Sequence, residues 1–336
     1  MPIRTLDGLR LRATAVMLLV AIAASATSPA VAAQGRVPHV AVISTVSAEY
    51  AAPYLQSGRE GLADVGYVEG KTMILDFRFA GFGKLNPDDL ATELVALKPD
   101  VMVAVGDRAV AAAQRATRAI PIVMVAGGDP VRSGFVASIA KPGGNITGLS
   151  SLLPEMDAKL LGLLKETVPG AASFGVLWNP LSHGGVLGYE AMRAAAPGLG
   201  ITTLRSMEVR TPEQIDQAIA TMASEHLAGF VVLTDPLTFG QRRRVIEQAA
   251  KHRLPAMFEV REFVDDGGLM SYGPSLRAMM RRAAVFVDKI LKGARPAELP
   301  VEQPSKFEFF VNAKTAKTLG LAAAPALLLR ADQVIE

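Results

Sequence analysis

From about residue 37 onward, short β-branched apolar runs alternate with longer stretches whose apolar positions recur at helical spacing. The first series predicts strands over 40–45, 72–79, 101–105, 122–125 and 146–149, and helices over 53–65, 87–97, 108–117 and 131–140. Regular alternation of strand and helix is typical of a parallel α/β sheet covered by helices. This part of the chain therefore predicts one α/β lobe.

The same order of elements starts again after a predicted helix over residues 154–168. The second series predicts strands over 174–178, 201–209, 229–233 and 256–258, and helices over 189–196, 212–224 and 241–251. The chain thus predicts an α/β fold of two doubly wound parallel-sheet lobes, although the two halves share no visible sequence repeat.

Glycine and proline interrupt the pattern after the second series, at residues 267–268 and 273–274. Such residues suit a chain that changes direction between lobes, so we expect the helix predicted over 276–291 to pack back on the first lobe. The expected domains are 37–150 plus about 273–300 for the first lobe and 155–268 for the second, joined by a multi-segment hinge. Residues 301–336 predict a strand at 307–311 and helices at 313–319 and 325–331, in a lobe that the pattern leaves open.

The N-terminal segment has the three parts of a secretion signal. Arg4, Arg10 and Arg12 precede an apolar core at 13–24, and residues 29–33 supply small side chains for cleavage. A membrane-spanning helix needs about 20 apolar residues, and this core is shorter. We expect a signal peptide over residues 1–33, periplasmic localisation, and no stable membrane insertion after cleavage.

Composition narrows the function classes. The chain has no cysteine, which excludes disulfides and a lipid-modified N-terminal cysteine. Without residues 1–33 it carries 32 basic and 31 acidic side chains, and this balance argues against a nucleic-acid partner. Three arginines at 242–244 lie in a predicted helix, and we interpret them as a solvated face.

Polar residues follow several predicted strands, where open α/β sheets bind their ligands near helix N-termini. The candidate ligand-binding residues are Thr45, Ser47, Tyr54, Gly106, Asp107, Gly127, Asp129, Asn179, Asp235 and Glu259. Hydroxyls and helix N-termini suit an anionic group of a solute, carboxylates suit an amino group or hydroxyls, and Tyr54 suits an apolar portion.

Several of these residues have a structural alternative. Asp107 is also placed to cap the helix that follows it. Asp129 and Asp235 each precede a proline, which is ordinary turn and capping chemistry. Glu259 has Arg253 and Arg261 nearby in sequence as possible partners.

Catalytic and cofactor motifs are missing from the chain. It contains no His-Glu-x-x-His, no Gly-x-Ser-x-Gly and no phosphate-binding loop, and its four histidines lack the spacing of metal ligands. We therefore expect no cofactor, no metal and no enzymatic activity. A two-domain periplasmic α/β enzyme and a ligand-sensing partner of a membrane receptor remain the alternatives.

A set of short motifs resembles the family of ABC transporter substrate-binding proteins. The motifs lie at residues 66–70, 126–131, 141–148, 176–180, 261–264, 267–274, 300–304 and 312–316, so the resemblance runs from about residue 37 to 336.

The resemblance implies a type I periplasmic-binding-protein fold whose lobes close on a small-molecule solute, delivered to an ABC permease in the inner membrane. Some relatives are associated with tryptophan and related amino acids, which implies an amino acid or similar zwitterion as ligand. We expect the receptor to be a monomer. Family members commonly carry a small hydroxyl or glycine-rich turn where Asp107 and Arg108 stand here, and a carboxylate at that place would repel a ligand carboxylate.

Overall fold

The buried run His39–Ser44 forms the first strand, β1, of the computed structural model, which describes residues 36–82, 84–151, 154–304, 307–321 and 328–336. The first sheet also contains β2 (Ile74–Phe79), β3 (Val101–Val105), β4 (Ile122–Gly127) and β5 (Ile146–Ser150). All its pairings are parallel, in the order β2-β1-β3-β4-β5. Its helices are α1 (Ala48–Asp64), α2 (Pro87–Ala96) and α3 (Asp107–Ala116).

The second sheet has the order β12-β11-β10-β9-β8-β6-β7. Its strands are β6 (Ser173–Trp178), β7 (Thr203–Glu208), β8 (Phe230–Val232), β9 (Ala256–Phe258), β10 (Met270–Gly273), β11 (Glu308–Asn312) and β12 (Gln333–Ile335). Its helices are α4 (Pro154–Thr167), α5 (His183–Ala195), α6 (Pro212–Ser224), α7 (Pro236–Gly240), α8 (Arg242–Lys251) and α9 (Glu262–Asp265). The remaining helices are α10 (Leu276–Leu291), α11 (Ala313–Thr318) and two short 3₁₀ turns at Pro197–Leu199 and Pro296–Glu298.

The predicted fold class is confirmed, because each sheet is built from parallel strands with helices between them. The one pairing that departs from it is β11, which runs antiparallel to β10. The C-terminal strands β11 and β12 both belong to the second sheet. The chain passes between the sheets after β5, after β10 and again before β11.

Helix α10 packs against α1 on the first sheet. Its apolar face is almost continuous, with Met279, Met280, Ala283, Phe286 and Val287 all buried. Gly61 permits the close approach of the two helices, since a Cβ atom on it would lie 2.3 Å from the carbonyl oxygen of Arg281. This contact ties the segment after the second series to the first lobe.

Three helix predictions differ from the structure. The helix predicted over 131–140 is wrong: this segment forms turns, because Gly134 adopts a left-handed φ of +68°. Helix α1 begins at Ala48, with Ser47 as its N-cap and Pro53 inside it, five residues before the predicted start. Helix α5 begins at His183 rather than at residue 189, because the side chain of Ser182 caps it.

Two predicted segments lie wholly or partly outside the described residues. The predicted signal peptide at 1–33 lies outside the described residues. The helix predicted over 325–331 is described only from residue 328. Within the described part of the chain, every helix is too short or too polar to span a membrane.

Candidate functional site

A cleft of about 230 Å³ lies between the carboxyl ends of the two sheets. Residues from the ends of β1, β3 and β4 line one side, and residues from the ends of β6, β8 and β9 line the other. The cleft sits where the strand order reverses, between β1 and β3 and between β6 and β8. Ligands of open α/β folds bind at such switch points.

The first-lobe wall begins with the ends of β1 and β3. Thr45 follows β1 and is buried, with only 5% of its surface exposed. Gly106 is the N-cap of α3 and adopts a φ of +83°, which a glycine tolerates without strain. These residues and the following Asp107 all line the cleft.

Asp107 does not act as the N-cap that its position in the sequence allows. It is the first residue of α3, and its Oδ1 accepts a hydrogen bond of 2.6 Å from the backbone N–H of Gly128, in the loop after β4. A Cβ atom on Gly128 would lie 2.8 Å from Oδ2 of Asp107, so a larger residue there would displace this carboxylate. Removal from water raises the pKa of Asp107, while the Gly128 N–H and His183 partly offset this by favouring the charged form.

The second-lobe wall contains a hydrogen-bonded pair, Asn179 and Asp235. The side-chain N–H of Asn179 donates to Oδ2 of Asp235 over 2.7 Å. The other carboxylate oxygen of Asp235 accepts from the backbone N–H of Thr238 over 2.9 Å and caps α7. Asp235 therefore has the predicted capping role and also lines the cleft.

Glu259 follows β9 and completes this wall. Its carboxylate accepts a hydrogen bond from the backbone N–H of Thr234, while Arg261 pairs with Asp265 instead, at 3.1 Å. Removal from water raises the pKa of Glu259, and the negative charge of Asp235 adds to the effect. Glu259 therefore has no pairing with Arg261, and its carboxylate lines the cleft.

Asp157 of α4 lies close to this wall, with 1% of its surface exposed. Neither of its carboxylate oxygens has a hydrogen-bond partner among the described residues. Burial, followed by the charge of Glu259, raises the pKa of Asp157 to about 8. Three carboxyl groups, those of Asp157, Asp235 and Glu259, thus lie at or near this wall of the cleft.

Apolar side chains from both lobes cover the rest of the cleft. Tyr54 of α1 and Phe239 of α7 approach across it with ring centroids 6.5 Å apart. Burial, and then the charge of Glu262, raise the pKa of Tyr54 well above its usual range, so its phenol stays neutral. Further apolar lining comes from Val46, Leu55, Val105, Val125, Met156, Leu233, Val260, Leu276 and Met280.

The structure gives three of the predicted site residues local structural roles. The hydroxyl of Ser47 caps α1 by accepting from the backbone N–H of Tyr50. The carboxylate of Asp129 accepts from the backbone N–H groups of Val131 and Arg132, both at 3.0 Å. Neither side chain belongs to the described lining of the cleft. Gly127 ends β4, opposite Ser150 of β5.

Several residues that line the cleft were not predicted from the sequence. Ser182 and His183 start α5, and the rule of strand ends applied to β6 would have included them. Phe239 lies on the short helix α7, which the periodicity did not predict. Leu276 and Met280 reach the cleft from α10, a contact that depends on the chain's return to the first lobe.

Arg242 corrects the interpretation of residues 242–244 as a solvated face. Only 12% of its side chain is exposed, and it forms an ion pair with Asp266 at 2.8 Å. Its guanidinium also lies over the rings of Tyr50 and Phe239. The adjacent Arg243 matches the solvated interpretation, with 74% of its side chain exposed.

The carboxylates of the cleft are not arranged as metal ligands. Among the described residues, no group of three or more histidine or acidic side chains has the geometry to hold a metal ion.

Comparison with known proteins gives a family and several relatives. The family model for ABC transporter substrate binding proteins matches residues 39–335. A tyrosine-binding protein of Clostridioides difficile is 28% identical over 273 residues, which cover 80% of this chain and 78% of that protein.

Two solved structures share the fold over most of the chain. A conserved domain protein from Vibrio cholerae superposes with a TM-score of 0.83 at 28% identity, covering 89% of this chain and 100% of that one. A Streptococcus pneumoniae ABC domain in complex with L-Trp gives a TM-score of 0.82 at 25% identity, with coverage of 89% and 100%.

Proposed function

Because the chain belongs to the ABC transporter substrate-binding protein family, we propose that it is the periplasmic receptor of an ABC import system. Its ligand is a small solute with an ammonium group and an apolar body, the chemistry of an apolar or aromatic amino acid and of related amines. The family implies an ABC permease as partner, to which the loaded receptor delivers its solute.

The observation that carries this proposal is the pairing of two surfaces in one cleft. Glu259 and Asp235 line the second-lobe wall, and Tyr54 and Phe239 bring apolar rings from both lobes. Carboxylates removed from water are stabilised by a bound cation, and charge-assisted hydrogen bonds to an ammonium group are strong and directional. The apolar lining favours a hydrophobic portion of the same ligand.

The relatives support the same class of ligand. One relative is a tyrosine-binding protein, and one structural neighbour was solved with L-Trp. Both of these ligands combine an ammonium group with an aromatic side chain. Their recognition requires polar and apolar surfaces side by side, as the cleft provides.

Binding between two lobes also provides a signal of occupancy. The chain passes between the two sheets after β5, after β10 and before β11, so the lobes are joined at more than one place. A ligand that contacts both walls favours the closed arrangement by its differential affinity. A permease can then distinguish loaded from empty receptor.

A thermal-shift panel tests the proposal, because a ligand that binds only the folded state raises the melting temperature. Amino acids, amines, sugars and dicarboxylates are added separately to the protein without residues 1–33. We expect shifts with solutes that carry an ammonium group and an apolar body, and native mass spectrometry of the purified protein should find such a solute bound. Shifts with sugars or dicarboxylates only would contradict the proposal.

The same purified protein tests the enzyme alternative. Incubation with each solute that produces a shift, followed by mass spectrometry of the solution, should return the solute unchanged. If the wild type converts the solute and Asp107→Asn or Asp235→Asn does not, the protein is an enzyme and the proposed receptor function is wrong.

A further inference from the structure

The charged side chains of the cleft are not those of a site for a zwitterion. Asp107 enters from the first lobe, and Asp235 and Glu259 enter from the second. Among the described lining residues, the basic side chains are Arg108 and His183. Arg108 is exposed to solvent, so among the described lining residues the carboxyl groups of Asp107, Asp235 and Glu259 outnumber the enclosed basic side chain, that of His183.

Asp107 stands where the carboxylate of an amino acid would otherwise be favoured. It faces the start of α5 in the opposite lobe, since a Cβ atom on Gly184 would lie 3.8 Å from its Oδ2. The N-terminus of this helix of 13 residues carries the positive end of its dipole. His183, the first residue of α5, favours the charged form of Asp107. The protein therefore supplies its own anion to this position.

The backbone N–H of Gly128 is also occupied by Asp107. It donates to Asp107 over 2.6 Å, so it has no hydrogen bond left for a ligand oxygen. A ligand carboxylate placed between Gly128 and α5 would displace the Asp107 carboxylate or lie against it. Like charges in an enclosed site repel strongly because water screens them poorly.

The second-lobe wall presents hydrogen-bond acceptors that suit a cationic donor. Glu259 and Asp235 line it, and the buried hydroxyl of Thr234 has no hydrogen-bond partner among the described residues. An ammonium group with three N–H donors matches this set of acceptors.

We propose that the preferred ligand is a primary amine with an apolar body and no carboxylate, and that Asp107 is the residue that disfavours the corresponding amino acid. This inference rests on the proposed receptor function and narrows its ligand. Two walls with carboxylates on both sides favour a net cation, whereas a zwitterion brings a carboxylate for which the described lining offers two basic side chains, the exposed Arg108 and His183 beside Asp107.

Isothermal titration of matched pairs tests the inference on the wild-type protein. The pairs are tyramine with tyrosine, tryptamine with tryptophan and phenethylamine with phenylalanine, which differ only in the carboxylate. We expect the best amine to bind at least tenfold more tightly than its parent amino acid. In Asp107→Asn, which retains an acceptor for the N–H of Gly128, this preference should fall at least tenfold.

The matched control is Asp89→Asn, which removes an exposed carboxylate from the first turn of α2, away from the cleft. It should leave the preference unchanged. Asp107→Ser provides a second variant, and the melting temperature of each free variant shows that it is folded. Equal preference in wild type, Asp107→Asn and Asp107→Ser would overturn the assigned role of Asp107.

Failure of the inference is distinguishable from failure of the receptor function. If the wild type binds an amino acid more tightly than its amine, the inference is wrong and the receptor function stands. If Arg108→Gln also loses this preference, Arg108 binds the ligand carboxylate. Absence of binding for every amine and amino acid in the folded protein would overturn both.

Discussion

The guanidinium carbon of Arg242 lies 4.6 Å from the centroid of the Tyr50 ring, a contact that joins the second lobe to the first. Tyr50 also meets Phe82 and Phe239 with centroid distances of 5.0 and 6.2 Å. Asp266 holds Arg242 in place at 2.8 Å. This interlobe aromatic cluster, formed by Tyr50, Phe82, Phe239 and Arg242, lies beside the cleft and stabilises the approach of its two walls.

Arg242→Ala should weaken both the fold and ligand binding. The variant loses a cation–π contact worth about 0.5–2 kcal/mol and the ion pair with Asp266 at 2.8 Å, so that Asp266 keeps the longer ion pair with Arg243 at 3.5 Å. We expect a melting temperature a few degrees lower and a ligand affinity about three- to tenfold lower, because the contact spans the lobes. Calorimetry and ligand titration measure the two effects.

Arg243→Ala is the control for this change, since 74% of the Arg243 side chain is exposed. Its effect on stability should lie within about 0.5 kcal/mol, as for most surface substitutions. Equal effects of the two variants would show that Arg242 has no special part in joining the lobes.

The ligand-free protein should lose stability as pH rises, because of Asp157. Its pKa is raised to about 8 in the folded state, against about 4 for an unfolded aspartate. Between these values the folded state holds a proton that the unfolded chain releases, so the free energy of unfolding falls with rising pH. Asp157→Asn should therefore raise the melting temperature at pH 8 and change it little near pH 4.

Melting curves from pH 4 to pH 8.5 measure this effect, with Asp265→Asn, a partly exposed carboxylate outside the cleft, as control. Parallel curves for wild type and Asp157→Asn across this range would show that the buried carboxyl group does not titrate as inferred.

Ligand affinity should depend on pH in the opposite sense. The pKa of Glu259 is raised by removal from water, and a bound ammonium group stabilises its charged form. Binding near neutral pH should therefore release protons, and affinity should increase from about pH 6 to pH 8 while the amine stays charged. Titrations in buffers with different ionisation enthalpies measure the protons released.

Glu259→Gln should reduce affinity for an amine about 10- to 100-fold, since a hydrogen bond to a charged group contributes about 1.5–3 kcal/mol. It should also remove most of the proton release. Glu247→Gln, on the exposed face of α8, is the matched control and should bind as wild type does. If Glu259→Gln releases as many protons on binding as the wild type, the protons come from another group.

Two glycines of α1 should respond differently to the same substitution. A Cβ atom on Gly61 would lie 2.3 Å from the carbonyl oxygen of Arg281, so Gly61→Ala forces α1 and α10 apart. We expect a loss of about 1–3 kcal/mol in the free energy of unfolding, as for other overpacked contacts. Denaturant unfolding measures it.

Gly58→Ala is the matched change on the same helix. Its Cβ atom would lie 3.3 Å from the terminal methyl of Met280, a flexible side chain that can move. Helix propensity favours alanine over glycine by about 1 kcal/mol, so this variant should be close to neutral or more stable. A larger loss for Gly58→Ala than for Gly61→Ala would contradict the packing described.

Hydrophobic periodicity was sufficient to predict the two α/β lobes, because buried parallel strands and amphipathic helices have distinct spacings that any local window reveals. It failed at residues 131–140, where Val131, Phe135 and Ile139 have helical spacing but Gly134 turns the chain at a φ of +68°. Local capping also moved the start of α1 and α5, since Ser47 and Ser182 each begin a helix earlier than the apolar pattern indicated.

The rule that ligands bind beyond strand ends identified Thr45, Asp107, Asn179, Asp235 and Glu259, which all line the cleft. Their roles depended on partners distant in sequence. Whether Asp107 caps its own helix or bonds to Gly128 is decided by where β4 ends relative to β3, a relation between strands that no local pattern contains.

Secondary structure depends mainly on each residue's own size, polarity and backbone freedom. The sequence alone therefore predicted most of the strands and helices and the loops that hold the candidate site residues. The burial of Arg242 arises from its contacts with Tyr50 of the first lobe and with Phe239 and Asp266 of the second, while the side chain of its neighbour Arg243 stays 74% exposed. Desolvation and Coulomb energies depend on distances in space rather than along the chain, which is why tertiary structure had to decide them.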